Sequence, residues 1–262
     1  MWAKVFAYMY RHWIITKRWP GETANLLVYP FIGLLSVGIF AFFMASKGGG
    51  PVEAVMFVLI GVIAWNFYEI ASRGVTYGLT HDIWNDCLKH SFTTSVRSRH
   101  FIAGNALWGL SGSVFSLVTV GIVGLLAFGA NVFMAGPFLA VNMLSIFIFA
   151  VGIGLMVNSL MVSKGEKWMA LIWMMTGVIM IFSGVYYPIQ VLPWIMQVVA
   201  VAMPPTHAII SVRSALGMEP AGLMLSEMLL GLGFALAFFL VGVAVFRYGL
   251  KKGRKNGIIT KY

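Results

Sequence analysis

Acidic residues are scarce in this 262-residue chain: eight Asp and Glu stand against eighteen Lys and Arg, and charged residues together make up only 10%. A soluble domain carries roughly 25% charge. A surface this poor in charge cannot face water over most of its area, so its main solvent is lipid. Cysteine is nearly absent, with Cys87 alone, which excludes a disulfide framework and a Cys-based metal site. The motifs of the common chemistries are missing as well. No Gly-x-x-x-x-Gly-Lys-Ser/Thr loop is present to cradle nucleotide phosphates, and neither His-Glu-x-x-His nor Gly-x-Ser-x-Gly occurs. No catalytic residue, cofactor or metal ligand is therefore expected in this chain. The acids near the apolar stretches, Glu53, Glu69 and Glu227, all lie towards their ends, which disfavours the midplane relay of an ion-coupled carrier. The first 19 residues are not a secretory signal, because Lys4, Arg11, His12, Lys17 and Arg18 interrupt them.

What the chain has in abundance is apolar sequence, 60% by composition, with a mean hydropathy of +0.89. A helix needs about 20 mostly apolar residues to cross roughly 30 Å of hydrocarbon. Six stretches meet that length: Ala24–Ser46, Val52–Ser72, Ile102–Gly129, Phe138–Val162, Trp168–Tyr187 and Gly222–Phe246. Helix-breaking sequence separates them, Lys47-Gly48-Gly49-Gly50-Pro51 and Gly136-Pro137 among the breaks. The net charge of +10 is not the footprint of a nucleic-acid binder, since the cations sit in short connections between apolar stretches and form no basic face. Their distribution gives an orientation instead. Sixteen of the eighteen Lys and Arg residues fall on one side of the six spans, and only Lys47 and Arg213 fall on the other. By the positive-inside rule the basic side is cytoplasmic, with both termini there.

Three segments outside the spans carry a pattern. In residues 1–19, Trp2, Phe6, Met9, Tyr10 and Trp13 recur at helical spacing, which predicts an amphipathic helix along the cytoplasmic interface. In the long connection Arg73–His100, Ile83, Trp84, Cys87 and Leu88 share one helical face. This reads as a short helix that docks on a soluble partner, the alternative being a surface hairpin without one. Pro188–Pro220 is apolar but broken by five prolines, which predicts two half-helices dipping into the outer leaflet. The tail, residues 247–262, is basic and reads as an anchor to anionic lipid. Glu69 and Arg73 form an i,i+4 pair, Glu53 faces the outer headgroups near Lys47, and His207 is expected to be a structural hydrogen-bonder. Tyr186, Tyr187 and Trp194 are either ordinary interfacial aromatics or the lining of a substrate exit.

The run Phe182-Ser183-Gly184-Val185-Tyr186-Tyr187-Pro188-Ile189-Gln190-Val191-Leu192-Pro193, continued by Met203-Pro204-Pro205-Thr206-His207 and Val212-Arg213 to Leu216-Gly217, resembles the signature that follows the fifth span in ABC type-2 exporter permeases. The drug and lipo-oligosaccharide branch is the most similar; the capsule and O-antigen polysaccharide permeases are neighbours. The sharp motif covers Phe182–Gly217, while span number and loop order agree along the whole chain. One stretch departs: where the family often has Gly-Thr-Leu-Glu and a Pro-containing turn, this chain has Ile83-Trp84-Asn85-Asp86-Cys87-Leu88-Lys89 and no Pro.

The resemblance implies an all-α membrane protein, a single transmembrane domain over 1–262, with six transmembrane helices, the interfacial helix, a cytoplasmic coupling helix and a broken re-entrant segment before the last span. It implies a location in a bacterial or archaeal cytoplasmic (inner) membrane. It further implies a homodimer with two copies of a separate ATP-binding subunit, which holds the ATP and Mg. Ile83, Trp84, Asp86, Leu88 and Lys89 would meet that subunit, and Tyr186, Tyr187, Pro188 and Trp194 would line the outer gate. The exported substrate would be a lipophilic compound, a lipid or a lipid-linked glycan. The alternatives are a polysaccharide permease, or a scaffold or sensor that uses the ATPase without transport.

Overall fold

The computed structural model describes residues 2–48, 52–85, 87 and 98–256, and among them it is helical without a strand. In chain order the helices are α1 (Trp2–Arg18), α2 (Pro20–Leu27), α3 (Tyr29–Gly48), α4 (Val52–Trp84), α5 (Ser98–Phe128), α6 (Pro137–Lys164), α7 (Leu171–Phe182), α8 (Trp194–Val201), α9 (Pro204–Ala215) and α10 (Leu223–Lys255). Five helical stretches are long and apolar enough to cross a bilayer: Pro20–Met44, Glu53–Trp84, Arg99–Phe128, Pro137–Lys164 and Leu223–Lys255. The bent pair α8 and α9, which meet at 84°, would make a sixth. This is a multi-pass membrane fold.

Local chemistry sets several boundaries. Pro137 opens α6 in the first turn, where its missing N–H costs nothing, directly after Gly136 at φ 56°. Gly165, at φ 93°, closes the same helix.

Between helices, contact is close because small residues face one another. Without water to drive apolar association inside a bilayer, packing depends on how near two backbones can come. Gly242, Gly249 and Gly253 of α10 are buried along α6. A Cβ on Gly152 would stand 2.8 Å from the Phe238 carbonyl oxygen, and one on Gly253 would stand 2.8 Å from Val162 Cγ1. Ser159 Oγ adds a hydrogen bond of 2.8 Å to the Val245 carbonyl across the same seam. The α4–α5 seam is built alike, since a Cβ on Gly109 would lie 2.8 Å from the Ala71 carbonyl oxygen. Asn158 Nδ2 then donates to the Val75 carbonyl at 3.0 Å and ties α6 to α4.

Two expectations need correction. Trp168–Tyr187 does not form one long span: its helix is α7, twelve residues, about 18 Å at 1.5 Å each and short of a bilayer. A left-handed Gly184 (φ 61°) and Pro188 stop it, and the chain goes on as irregular backbone. The connection Arg73–His100 does not begin at Arg73 either. α4 continues to Trp84, because residues 73–84 have apolar and small residues buried against α5 and α6 and no proline to end the helix. The break after Val28, where α3 restarts with Pro30 in its first turn, was not read from the sequence at all.

Candidate functional site

The two ends of the bundle carry its polar chemistry. At the basic end, α1 lies against α4 and α5. Its predicted aromatic stripe faces outward: Trp2, Phe6, Tyr10 and Trp13 are all exposed, while Val5, Tyr8 and His12 face the protein. Docking is largely polar. Arg11 pairs with the fully buried Asp82 near the end of α4. His12 Nε2 lies 2.6 Å from Asn105 Oδ1, with its ring stacked 5.7 Å from that of Trp108. His81, one residue before Asp82, stands edge-on to the rings of Trp19, Tyr77 and Trp84.

Burial pushes the His12 imidazole down to about 4; the Asn105 hydrogen bond opposes this, and the charges of Arg11 and His81 add to it. A base whose pKa falls on docking holds its helix best when neutral. Docking is therefore at full strength above about pH 6.5 and weakens by up to tenfold per unit as the pH falls towards about 4. The protection factor of the α1 amides, the observed exchange rate set against the intrinsic rate at the same pH, is expected to fall from about pH 7 to about pH 5, and His12→Gln to flatten that dependence. An α1 protection factor that ignores pH would contradict it.

The expected coupling residues divide. Ile83 is buried and Trp84 is 55% exposed, both in the last turn of α4, not on a separate helix. Asp86, Leu88 and Lys89 lie outside the described residues. Trp84 is therefore the large apolar side chain that this end of α4 presents outward.

Glu69 and Arg73 make the i,i+4 ion pair read from the sequence. Arg73 also lies over two rings, 4.9 Å from the centroid of Tyr29 on α3 and 4.8 Å from that of Trp173 on α7. One guanidinium thus joins three helices.

At the opposite end, α8 and α9 form the bent pair, in the stretch 188–220 whose prolines predicted two half-helices. α8 is mostly exposed, with Trp194 at 73%, whereas Pro204–Ile209 and Ser211–Ser214 of α9 are buried. Of the predicted gate residues, Tyr186 is 39% exposed, Tyr187 half-buried and Pro188 exposed, and Trp194 starts α8. Tyr187 donates to the Ile181 carbonyl at 2.7 Å. Only Pro188 of the four lines the cavity of about 290 Å³ under this end, beside Gln190, His207, Arg213, Glu219 and Glu227.

His207 is the hydrogen-bonder expected of it. Its Nε2 donates to the Val201 carbonyl at 2.6 Å, and its Nδ1 meets Glu227 Oε2 at 2.5 Å. Both ring nitrogens face oxygens, so a proton must lie between Nδ1 and the carboxylate. The pair fastens the α8–α9 tip to α10.

Sequence reasoning missed the role of Arg213. Its side chain is buried and donates to the carbonyls of Gly184 (2.9 Å), Val185 (2.9 Å) and Phe57 (2.9 Å from Nη2, 3.2 Å from Nε), and its guanidinium lies 3.4 Å from the Phe57 ring centroid. These carbonyls include those freed where α7 stops short. Irregular backbone at depth survives only when its polar groups are bonded, and Arg213 supplies the donors. A cation among the fewest on its side of the chain was the one available signal.

Among the described residues no group of His, Cys, Asp or Glu is arranged to hold a metal ion. The profile of the family described as "ABC-2 type transporter" matches residues 3–216. No curated protein matches the chain.

Proposed function

The chain belongs to the ABC-2 type transporter family, and from that premise we propose that it is the membrane half of an exporter driven by ATP hydrolysed in a separate subunit. It is an ABC transporter permease subunit, and members of the family normally work with ATP-binding subunits. A family match over most of the chain, in a sequence with no phosphate-binding loop of its own, carries the reading. The driving force must then enter through a contact.

That contact is placed at the basic end, taken as cytoplasmic from the charge distribution. The last turn of α4 and the connection after it meet the ATP-binding subunit, with Trp84 as the anchor. Because Asp82 holds Arg11, a displacement of this turn passes to α1. It also passes along α4, a single rigid helix, to Phe57 and hence to Arg213 and the re-entrant pair. Two copies of the chain would enclose the pathway, with α8 at the outer exit and an amphiphile, either a lipophilic compound or a lipid-linked glycan, as the substrate.

The test is direct. Trp84→Glu should abolish co-purification with the ATP-binding subunit while membrane insertion and yield stay unchanged. Undiminished recovery of the complex would remove the contact from the end of α4.

A further inference from the structure

A second cavity lies at the basic end, between α1, α2, α4 and α5, and it is separate from both the outer cavity and the Trp84 surface. Its volume is about 60 Å³. At roughly 15 Å³ per water-sized sphere this is space for about four non-hydrogen atoms. A small head group fits.

The lining is rich in rings and carries one acid and one base. Tyr77, Trp108, His12 and His81 supply rings, and Glu22 and Arg73 supply charge. The charge of Arg73 is already offset by Glu69 and shared with the rings of Tyr29 and Trp173. Arg11 is likewise offset by Asp82. Glu22 is different: it meets His81 Nε2 at 3.5 Å, beyond a strong hydrogen bond, so its carboxylate keeps acceptor capacity. Glu22 is the one acid in the lining, and burial holds His12 neutral beside it.

We propose that this cavity binds the ammonium head group of a membrane amphiphile, with Glu22 as its counter-ion and the Tyr77 and Trp108 rings as cation–π partners. The three N–H donors of a primary ammonium are met by one carboxylate and two ring faces, while a phosphate or sulfate would bring like charge to Glu22. The site stands whether or not the chain exports anything, since it concerns binding alone. Its ammonium could come from a phosphatidylethanolamine head group or from a free long-chain amine.

Native mass spectrometry of the full chain, in maltoside detergent and in nanodiscs, reads the binding. Decylamine is expected to bind one per chain and at least tenfold more tightly than decanol or decyl sulfate. Glu22→Gln should erase that preference, and Glu22→Asp should keep it. Because Glu22→Gln could simply loosen α2, His81→Phe is the second variant: it keeps a ring in the lining, removes the ring nitrogen that faces the carboxylate, and should leave decylamine binding intact or tighter. In nanodiscs, loss of decylamine binding in phosphatidylethanolamine but not in phosphatidylglycerol identifies the lipid head group as the resident. Equal binding in both identifies the free amine. Decylamine no tighter than decanol, a Glu22→Gln protein that still prefers the amine, or loss of the preference in His81→Phe would overturn the proposal.

Discussion

Arg213→Leu is expected to lower the stability of the folded chain by on the order of 3–5 kcal/mol, seen as a fall of roughly 10 °C in its thermal midpoint in detergent. The reason lies in what the side chain leaves behind. Its guanidinium donates to three backbone carbonyls, those of Phe57, Gly184 and Val185, from two separate stretches of chain. A leucine fills part of the volume and satisfies none of them. Each buried carbonyl without a donor costs about 1–3 kcal/mol, and no water stands close enough in a bilayer to replace the arginine. Arg213→Lys should recover less than half of the loss, because one ammonium cannot reach acceptors on both α4 and the α7 end with the geometry of a planar fork. A midpoint within about 2 °C of the parent protein would show that the re-entrant pair stands without this residue.

The second large effect belongs to the α6–α10 seam. A Cβ placed on Gly242 would come 2.9 Å from the Cα of Gly152, and still nearer to its carbonyl oxygen. These are backbone atoms, which cannot turn aside as a side chain can. Gly242→Leu must therefore push the two helices apart along the length where Gly249, Gly253 and Ser159 also meet. Overpacking of this kind costs about 3 kcal/mol or more, and most of the variant should be recovered aggregated. Gly233 on the same helix has nothing within 4 Å of its Cβ position, so Gly233→Leu is expected to be neutral to within about 0.5 kcal/mol. Equal behaviour of the two variants would mean that the seam is not tightly packed.

The sequence made the spans legible where composition and length decide, and less so where tertiary contacts do. Ile102–Gly129 and Phe138–Val162 agree with α5 and α6 to within a few residues at most ends, because a long apolar run in lipid has few options besides helix. The prolines of 188–220 announced the bent pair, and the Glu69–Arg73 spacing announced the ion pair. The length of α7 was not legible. Hydropathy continues through Ser183 to Tyr187, and only the arginine that collects the freed carbonyls explains why the helix can stop early. The extension of α4 was hidden for the opposite reason. His81 and Asp82 look like loop residues until Arg11, Glu22 and the surrounding rings are brought to them from α1 and α2. Of the sites, Tyr186, Tyr187 and Trp194 stand near one end of the bundle, and the cavity beneath them is lined mainly by residues the sequence had marked only as a motif.

Uphill transport in liposomes tests the central claim most directly. The chain is reconstituted alone, and in parallel with the ATP-binding subunit that co-purifies with it, and internal accumulation of a fluorescent lipophilic substrate is followed on addition of ATP. Accumulation only when the subunit and hydrolysable ATP are both present is the predicted result. Accumulation by the chain alone, under any gradient or nucleotide, would contradict the account.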